Sequence, residues 1–160
     1  MRHAFPCYQT RLSLLAKMIG RSVPFLNMVR RARPWPYTLE QMSTLQPGTL
    51  GAETAIFLIE RDFDLLPQYE AHDIAHTLLR YNTTSSGELR LQAFMWGNRS
   101  SSIEGRVLLL IGVALMPELW PTLHTDYNRG RHAAYHLKNW NFANMLDEDI
   151  AQLREMLEPG

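Results

Sequence analysis

The sequence contains a single cysteine, no acidic residue before Glu40 and no long hydrophobic run. The lone Cys7 excludes an intrachain disulfide, so stability must come from packing and from any metal that binds. The most apolar stretch, from Val107 to Met116, is broken by Gly112 and falls well short of the roughly 20 residues that span a bilayer. We therefore expect this stretch to form a helix buried in the core.

Charge is unevenly distributed, although 16 basic and 16 acidic residues make the chain neutral as a whole. Residues 1–33 form a basic amphipathic N-terminal segment, in which arginines and Lys17 are interleaved with apolar residues. Such a segment suits an anionic membrane surface, an anionic ligand or an organellar transit peptide, and an ordinary first helix with a solvated basic face is an equal alternative. The neutral total charge and the lack of a recognised nucleic-acid motif argue against nucleic-acid binding.

Apolar residues recur at helical spacing along nearly the whole sequence, whereas the strict alternation of a strand is hard to find. This pattern predicts an all-α fold, a single-domain bundle of about six to eight helices over residues 1–160, with residues 34–160 as its core. Residues 82–87 are rich in turn formers and should separate two helices. The predicted helices are Gln9–Ala32, with a kink or break, Thr38–Leu45, Gly48–Arg61, Pro67–Arg80, one from Glu88, one from Ile103 to before Pro117, Thr122–Leu137 and Ala143–Leu157.

The segment with the clearest chemical signal contains His72, Asp73 and His76. Residues three and four positions apart are neighbours on a helix surface, so His76 should lie beside both His72 and Asp73. Two imidazoles and a carboxylate suit zinc, iron, manganese or cobalt better than calcium or magnesium. The alternative is that the histidines form a hydrogen-bonded pair and that Asp73 is a solvated charge.

Glu88 is the candidate fourth ligand. On one continuous helix it would lie about 24 Å from His72, but the turn predicted at residues 82–87 can bring the next helix back toward the histidines. The alternative is structural, because Ser85-Ser86-Gly87-Glu88 fits the capping box Ser-x-x-Glu, in which the glutamate only satisfies a backbone amide.

A second histidine pair, His132 and His136, also has the spacing of one helical turn. Arg129 and Arg131 lie close by and disfavour a bound cation, so we expect a solvated face or one that contacts an anion.

The pattern His72-Asp73-x-x-His76, eleven residues and then Glu88 resembles the signature of the Coq-four family of ubiquinone (coenzyme Q) biosynthesis proteins. The likeness covers the chain from about Arg33 to Leu157 and is strongest between Pro47 and Glu88. The stretch between Phe63 and His72 is shorter than in the family, which leaves open a divergent relative with another lipid or phenolic substrate. Further similar segments are Pro47-Gly48-Thr49-Leu50-Gly51 (the family has Pro-x-Gly-Thr-x-Gly), Gly87-Glu88, Arg129-Gly130-Arg131, Trp140 and Leu153-Arg154.

The resemblance implies a helical protein whose site residues His72, Asp73, His76 and Glu88 bind a divalent metal ion and are catalytic. Zinc is expected in the isolated protein, with iron, manganese or cobalt as alternatives, since zinc cannot perform redox chemistry. The implied function is oxidative decarboxylation of a polyprenylated aromatic ring precursor. The implied partners are a polyprenylated phenolic or quinone lipid, other quinone-biosynthesis proteins, a peripheral membrane surface and, as an open option, further copies of the chain.

The implied location is the cytoplasmic face of the inner membrane in a bacterium, or the matrix side of the mitochondrial inner membrane in a eukaryote. Two other functions remain open. One is a non-catalytic lipid-binding scaffold for quinone-biosynthesis enzymes, in which the metal is structural. The other is an HD-type phosphohydrolase, which also needs an upstream histidine ligand, and His3 is the only upstream candidate.

Overall fold

The computed structural model describes residues 8–11, 13–15, 17 and 35–158. The regular structure of these residues is helical, with no strand among them, which confirms the predicted all-α fold. Most of the basic segment 1–33 lies outside the described residues, so its predicted role stays a prediction. In chain order the helices are α1 (Leu39–Ser43), α2 (Leu50–Ile59), α3 (Glu70–Leu79), α4 (Ser85–Gly97), α5 (Ile103–Leu115), α6 (Trp120–His132) and α7 (Ile150–Leu157), with 3₁₀ turns at Pro117–Leu119, Leu137–Asn139 and Phe142–Asn144.

The described residues divide into two compact units, each built from two stretches of the chain. The histidine unit contains residues 35–81 and 133–158 and includes His72 and His76. The glutamate unit contains residues 82–132 and the described residues up to 17, and it includes Glu88. The predicted single domain over residues 1–160, with a boundary after residue 33, stays a prediction.

In the histidine unit, backbone hydrogen bonds join the starts of α2 and α7. The side chain of Thr49 caps α2, and the N–H of Leu50 donates to the carbonyl oxygen of Glu148 at 2.9 Å. The N–H of Ile150 donates to the carbonyl oxygen of Gly48 at 3.0 Å, next to an isolated bridge between Thr49 and Asp149. Amides at a helix start lack partners within the helix, so these bonds satisfy them and fix the two starts together.

The end of α3 is stabilised by two arginines. Arg80 has a left-handed backbone conformation, with φ of 62°, which ends the helix, and its N–H donates to the carbonyl oxygen of His76. The guanidinium of Arg154 on α7 donates from Nε to the carbonyl oxygen of Leu78 at 2.9 Å and from Nη2 to that of Thr77 at 2.8 Å. A cation at a helix C-terminus also matches the helix dipole. Arg154 therefore anchors the helix that carries both histidines.

In the glutamate unit, α4 and α6 cross at two glycines. A Cβ atom added to Gly97 would overlap the carbonyl oxygen of Tyr127, and one added to Gly130 would overlap the carbonyl oxygen of Phe94. The fully buried Asn98 donates from its side chain to the carbonyl oxygen of Gly130 at 3.4 Å. The two helix backbones thus approach more closely than any residue with a side chain would allow.

An ion pair also joins α4 to α6. Asp126, whose side chain is 4% exposed, accepts from Nε of Arg90 at 2.7 Å and from Nη2 at 3.3 Å. A bidentate hydrogen bond from a guanidinium offsets the desolvation cost of a buried carboxylate. Asp126 therefore has a structural partner within the unit.

The apolar helix α5 is buried along only one side, so the prediction that it would lie in the core is wrong for its other side. Leu109 and Gly112 are buried, whereas Ile103, Val107 and Leu110 are 77%, 51% and 55% exposed. The three exposed residues are spaced to share one helix face. No single described helix is long and apolar enough to cross a membrane. By length and composition only, α5 and residues Pro117–His132 together meet this criterion, as a pair bent by 105°.

Several helix boundaries differ from the predicted ones, and three of the differences have a local cause. α4 begins at Ser85 rather than at Glu88, since Thr84 caps it from outside the predicted helix. α6 ends at His132, well before Leu137, because the chain there passes into a separate 3₁₀ turn. α7 begins at Ile150 rather than near Ala143, because the carboxylate of Asp149 accepts from the first free amides and fixes the start there.

Candidate metal centre

His72 and His76 lie one turn apart on α3, with their rings in contact. Their Nε2 atoms are 3.1 Å apart, and the rings meet edge to face with centroids 4.7 Å apart. His76 is buried and His72 is partly exposed. The helical spacing therefore brings two ring nitrogens together without any contribution from long-range folding.

The surroundings of His76 determine which ring nitrogen carries its proton. Nδ1 lies 3.3 Å from the carbonyl oxygen of Tyr81, which can only accept, so Nδ1 is the donor and Nε2 keeps its lone pair on the side of His72. Phe57 on α2 stacks on the ring, with centroids 6.2 Å apart and planes inclined by 18°. A histidine fixed in this way can offer Nε2 to a cation.

Asp73 lies on the same helix, in partly buried surroundings. Its Oδ2 accepts the N–H of Leu66 at 3.0 Å. Burial raises the pKa of the Asp73 carboxyl, and this effect outweighs the lowering by the Leu66 N–H and by the neighbouring histidines. Asp73 is not a member of the ligand group described below, so its predicted role as a ligand stays a prediction.

Glu88 lies in the first turn of α4 but does not cap that helix. Thr84 is the cap, and its hydroxyl accepts the N–H of Gly87 at 3.2 Å. Glu88 is one position beyond the place where a capping box would need it, so the capping alternative is wrong. Instead, Oε1 of Glu88 accepts a hydrogen bond from the side-chain amide of Gln92 at 2.8 Å.

Within the histidine unit, the Nε2 atoms of His72 and His76 are the two candidate metal donors. Ligands at about 2.1 Å around a tetrahedral ion are roughly 3.4 Å apart, so the 3.1 Å between the two Nε2 atoms is compatible with one shared ion. Two nitrogens and a carboxylate oxygen are the donors expected for zinc, iron, manganese or cobalt. His72 and His76 could hold a metal ion together with the predicted ligand Glu88, and the identity of the ion stays a prediction.

The fold matches a solved structure. A crystal structure of a protein from Nostoc punctiforme PCC 73102, provisionally assigned to ubiquinone biosynthesis, superposes with a TM-score of 0.65 and 24% sequence identity, over 95% of this chain and 81% of that one. At this identity the likeness shows the fold alone. No family model and no curated protein matches the chain, so membership of the Coq-four family stays a prediction.

The second histidine pair does not share a helix, so the continuous helix predicted for it is wrong. His132 is the last residue of α6, and His136 lies beyond the end of that helix. Nδ1 of His132 lies 2.8 Å from the carbonyl oxygen of Asn128, one turn earlier. The nearby Arg129 lies over the ring of Phe94, 5.1 Å from its centroid. Neither histidine belongs to the metal-ligand group found among the described residues.

Sequence reasoning missed three residues that surround the ligands. Gln92 follows Glu88 at the spacing of one helical turn, which was a usable signal. Phe57 and Tyr81 approach His76 through a neighbouring helix and through backbone after α3, respectively. Their proximity depends on the tertiary fold, so no local pattern could have indicated it.

Replacing Asp73 by asparagine should stabilise the metal-free protein at neutral pH. Because the pKa of Asp73 is higher in the folded state than its usual 3.8, the unfolded chain ionises first as the pH rises, and stability falls through that interval. Asparagine can still accept the Leu66 N–H but carries no charge. The melting temperature of Asp73→Asn, measured from pH 3 to pH 7, should exceed that of wild type increasingly as the pH rises. Equal melting temperatures at every pH, or a gain matched by the exposed Asp147→Asn, would contradict this.

Proposed function

We propose that this chain is a metal-dependent protein of ubiquinone biosynthesis that catalyses oxidative decarboxylation of a polyprenylated aromatic ring precursor. The observation that carries the proposal is the contact between the ring nitrogens of His72 and His76, one turn apart on α3. The resemblance of this motif to the Coq-four signature supports the reaction class. The fold shared with a protein provisionally assigned to ubiquinone biosynthesis supports the pathway.

The ion would be held by His72, His76 and Glu88, with Asp73 as the fourth predicted ligand. When bound, it would act as a Lewis acid on a phenolic or carboxylate oxygen of the ring. In the net reaction the ring–carboxyl bond breaks, carbon dioxide leaves and a hydroxyl group takes its place. With water as the oxygen source, two protons and two electrons are released, so an external two-electron acceptor such as dioxygen is required.

The polyprenyl tail needs an apolar site, and the glutamate unit contains one. A cavity of about 440 Å³ lies within this unit, in the size range of small-molecule sites. α4 contributes to it, since Trp96 on its last turns lines the cavity and Glu88 is on its first turn. The two residues are eight positions apart, about 12 Å along a helix axis. The cavity is lined by Ala93, Trp96, Leu109, Val113, Trp120, Leu123, His124 and Tyr127.

Peripheral membrane association is part of the proposal and is supported by the exposed apolar face of α5. Ile103, Val107 and Leu110 on this face could enter the headgroup region, as the apolar side of an interfacial helix does. We assign the protein to the inner membrane surface, on the cytoplasmic side in a bacterium or the matrix side in a mitochondrion. Association with other quinone-biosynthesis proteins, or with further copies of the chain, belongs to the same proposal.

The reaction is tested by incubating metal-loaded protein aerobically with a carboxylated polyprenyl phenol labelled in the carboxyl carbon. Wild-type protein should release labelled carbon dioxide and form the hydroxylated ring. Glu88→Gln, which keeps the shape of the side chain but removes its charge, should reduce the rate about 100-fold. Glu155→Gln, an exposed position on α7, serves as the matched control and should leave the rate unchanged.

Two other outcomes would replace the proposal. If wild-type protein binds the phenol but releases no carbon dioxide with zinc, iron, manganese or cobalt, the decarboxylase function is wrong and the lipid-binding scaffold takes its place. If it instead hydrolyses a phosphate ester, the HD-type phosphohydrolase is favoured. The ligand group found among the described residues contains no upstream histidine, and His3 lies outside those residues.

A further inference from the structure

Gln92 connects the carboxylate of Glu88 to the interior of the glutamate unit. The two residues are one turn apart on α4, and Nε2 of Gln92 donates to Oε1 of Glu88 at 2.8 Å. A carboxylate can only accept, so the orientation of the Gln92 amide is determined by chemistry. Gln92 is only 7% exposed. The side-chain amide of Gln92 therefore donates to Glu88 from a position that is shielded from water.

Gly105 on α5 gives the Gln92 amide the space it occupies. A Cβ atom at position 105 would overlap Oε1 of Gln92 and crowd the carbon that bears it. Gly105 is itself fixed in the first turn of α5, where its N–H donates to the hydroxyl of Ser102 at 3.1 Å. Any side chain at position 105 would therefore push the amide away from Glu88 or push α5 away from α4.

We propose that Gln92 is a positioning residue for the metal centre. It holds Oε1 of Glu88 and so fixes the rotation of the carboxylate that we propose as a metal ligand, and Gly105 is the residue that makes this orientation possible. The inference rests on the proposed metal site and adds to it the residue that orients one ligand. Partners that orient a ligand in this way commonly change metal affinity by about 10–100-fold when they are removed.

A purely structural role for Gln92 predicts something different. If the hydrogen bond only stabilised α4, its loss would lower the melting temperature of the metal-free protein and leave the metal affinity of the folded protein unchanged. A positioning role predicts lower affinity in protein that is still folded. It also predicts that the loss depends on Glu88, because without the carboxylate there is nothing for the amide to orient.

The test measures zinc affinity by competition with a chromophoric chelator at constant pH, together with the melting temperature of metal-free protein. Gln92→Leu removes the donor, and Gln92→Met does so with an unbranched side chain that follows the original path more closely. Both should raise the zinc Kd about 10–100-fold. Gly105→Ala keeps the glutamine but displaces its amide, so it should also raise the zinc Kd. Gln152→Leu, at an exposed position on α7, should leave the zinc Kd unchanged.

The deciding comparison is made in a Glu88→Ala background. There, Gln92→Leu should change the zinc Kd less than twofold. An equal, additive loss in both backgrounds would overturn the positioning role, as would an unchanged Kd for Gln92→Met in folded protein. If Glu88→Ala alone leaves the Kd unchanged, the proposed metal site has failed. If Glu88→Ala weakens binding and neither Gln92 variant does, only the present inference has failed.

Discussion

Protein in which His72 and His76 are both replaced by alanine is expected to retain less than about a tenth of the metal bound by wild type. Each substitution removes a nitrogen donor, and one remaining carboxylate in this group is a poor site for zinc or iron. The measurement is element-specific analysis of purified, dialysed protein. The same double variant should fail to complement a strain deficient in quinone synthesis.

The matched control uses two other histidines on one helix. His124 and His132 on α6 are both exposed and outside the ligand group, so His124→Ala/His132→Ala should keep the full metal content. Circular dichroism would establish that both double variants are folded. Full metal content together with full complementation in the His72/His76 variant would refute the metal site and the function built on it.

The largest expected effect on stability comes from Gly97→Ala. The added methyl group would overlap the carbonyl oxygen of Tyr127, which belongs to the backbone of α6 and can move only with that helix. We expect the free energy of unfolding to fall by about 3 kcal/mol, at the upper end for overpacking. Urea denaturation of metal-free protein, followed by far-ultraviolet circular dichroism, measures this loss.

Gly112→Ala on α5 provides the comparison for this effect. Its added methyl group would meet the side chain of Leu89, which can change its rotamer, rather than a backbone atom. We expect a smaller loss, about 1 kcal/mol. A loss at Gly97 no larger than that at Gly112 would show that α4 and α6 can separate at little cost, contrary to the close crossing described above.

Local sequence patterns predicted the parts of the structure that local chemistry controls. Helical periodicity predicted the fold class, and the helices predicted from Thr38 and from Gly48 correspond to α1 and α2, which Thr38 and Thr49 cap. The spacing of His72 and His76 predicted their contact, because two residues on one helix need no further folding to meet. The approach of Glu88 to the histidines, expected because turn formers at residues 82–87 allow the chain to reverse, stays a prediction.

Other features depend on competition between alternative partners, which periodicity and spacing do not decide. Glu88 fitted a capping box with Ser85, but Thr84 offers an earlier cap and the helix starts there. The periodicity of α5 did not indicate which of its faces would be covered, since nearly every position in it is apolar. Asp73 was grouped with the histidines by spacing, whereas the backbone N–H of Leu66 provides the partner observed for its carboxylate.

The order of segments along the chain sets when the histidine-bearing helix can be completed. Its C-terminal carbonyls at Thr77 and Leu78 accept hydrogen bonds from the guanidinium of Arg154, which lies 76 positions beyond Leu78. Most of the residues between Leu78 and Arg154 belong to the glutamate unit. During synthesis the imidazoles are therefore translated long before the last contact that secures their helix can form. Contacts this distant in sequence are slow to close, so the ability to load a metal should develop late, only after Arg154 has left the ribosome.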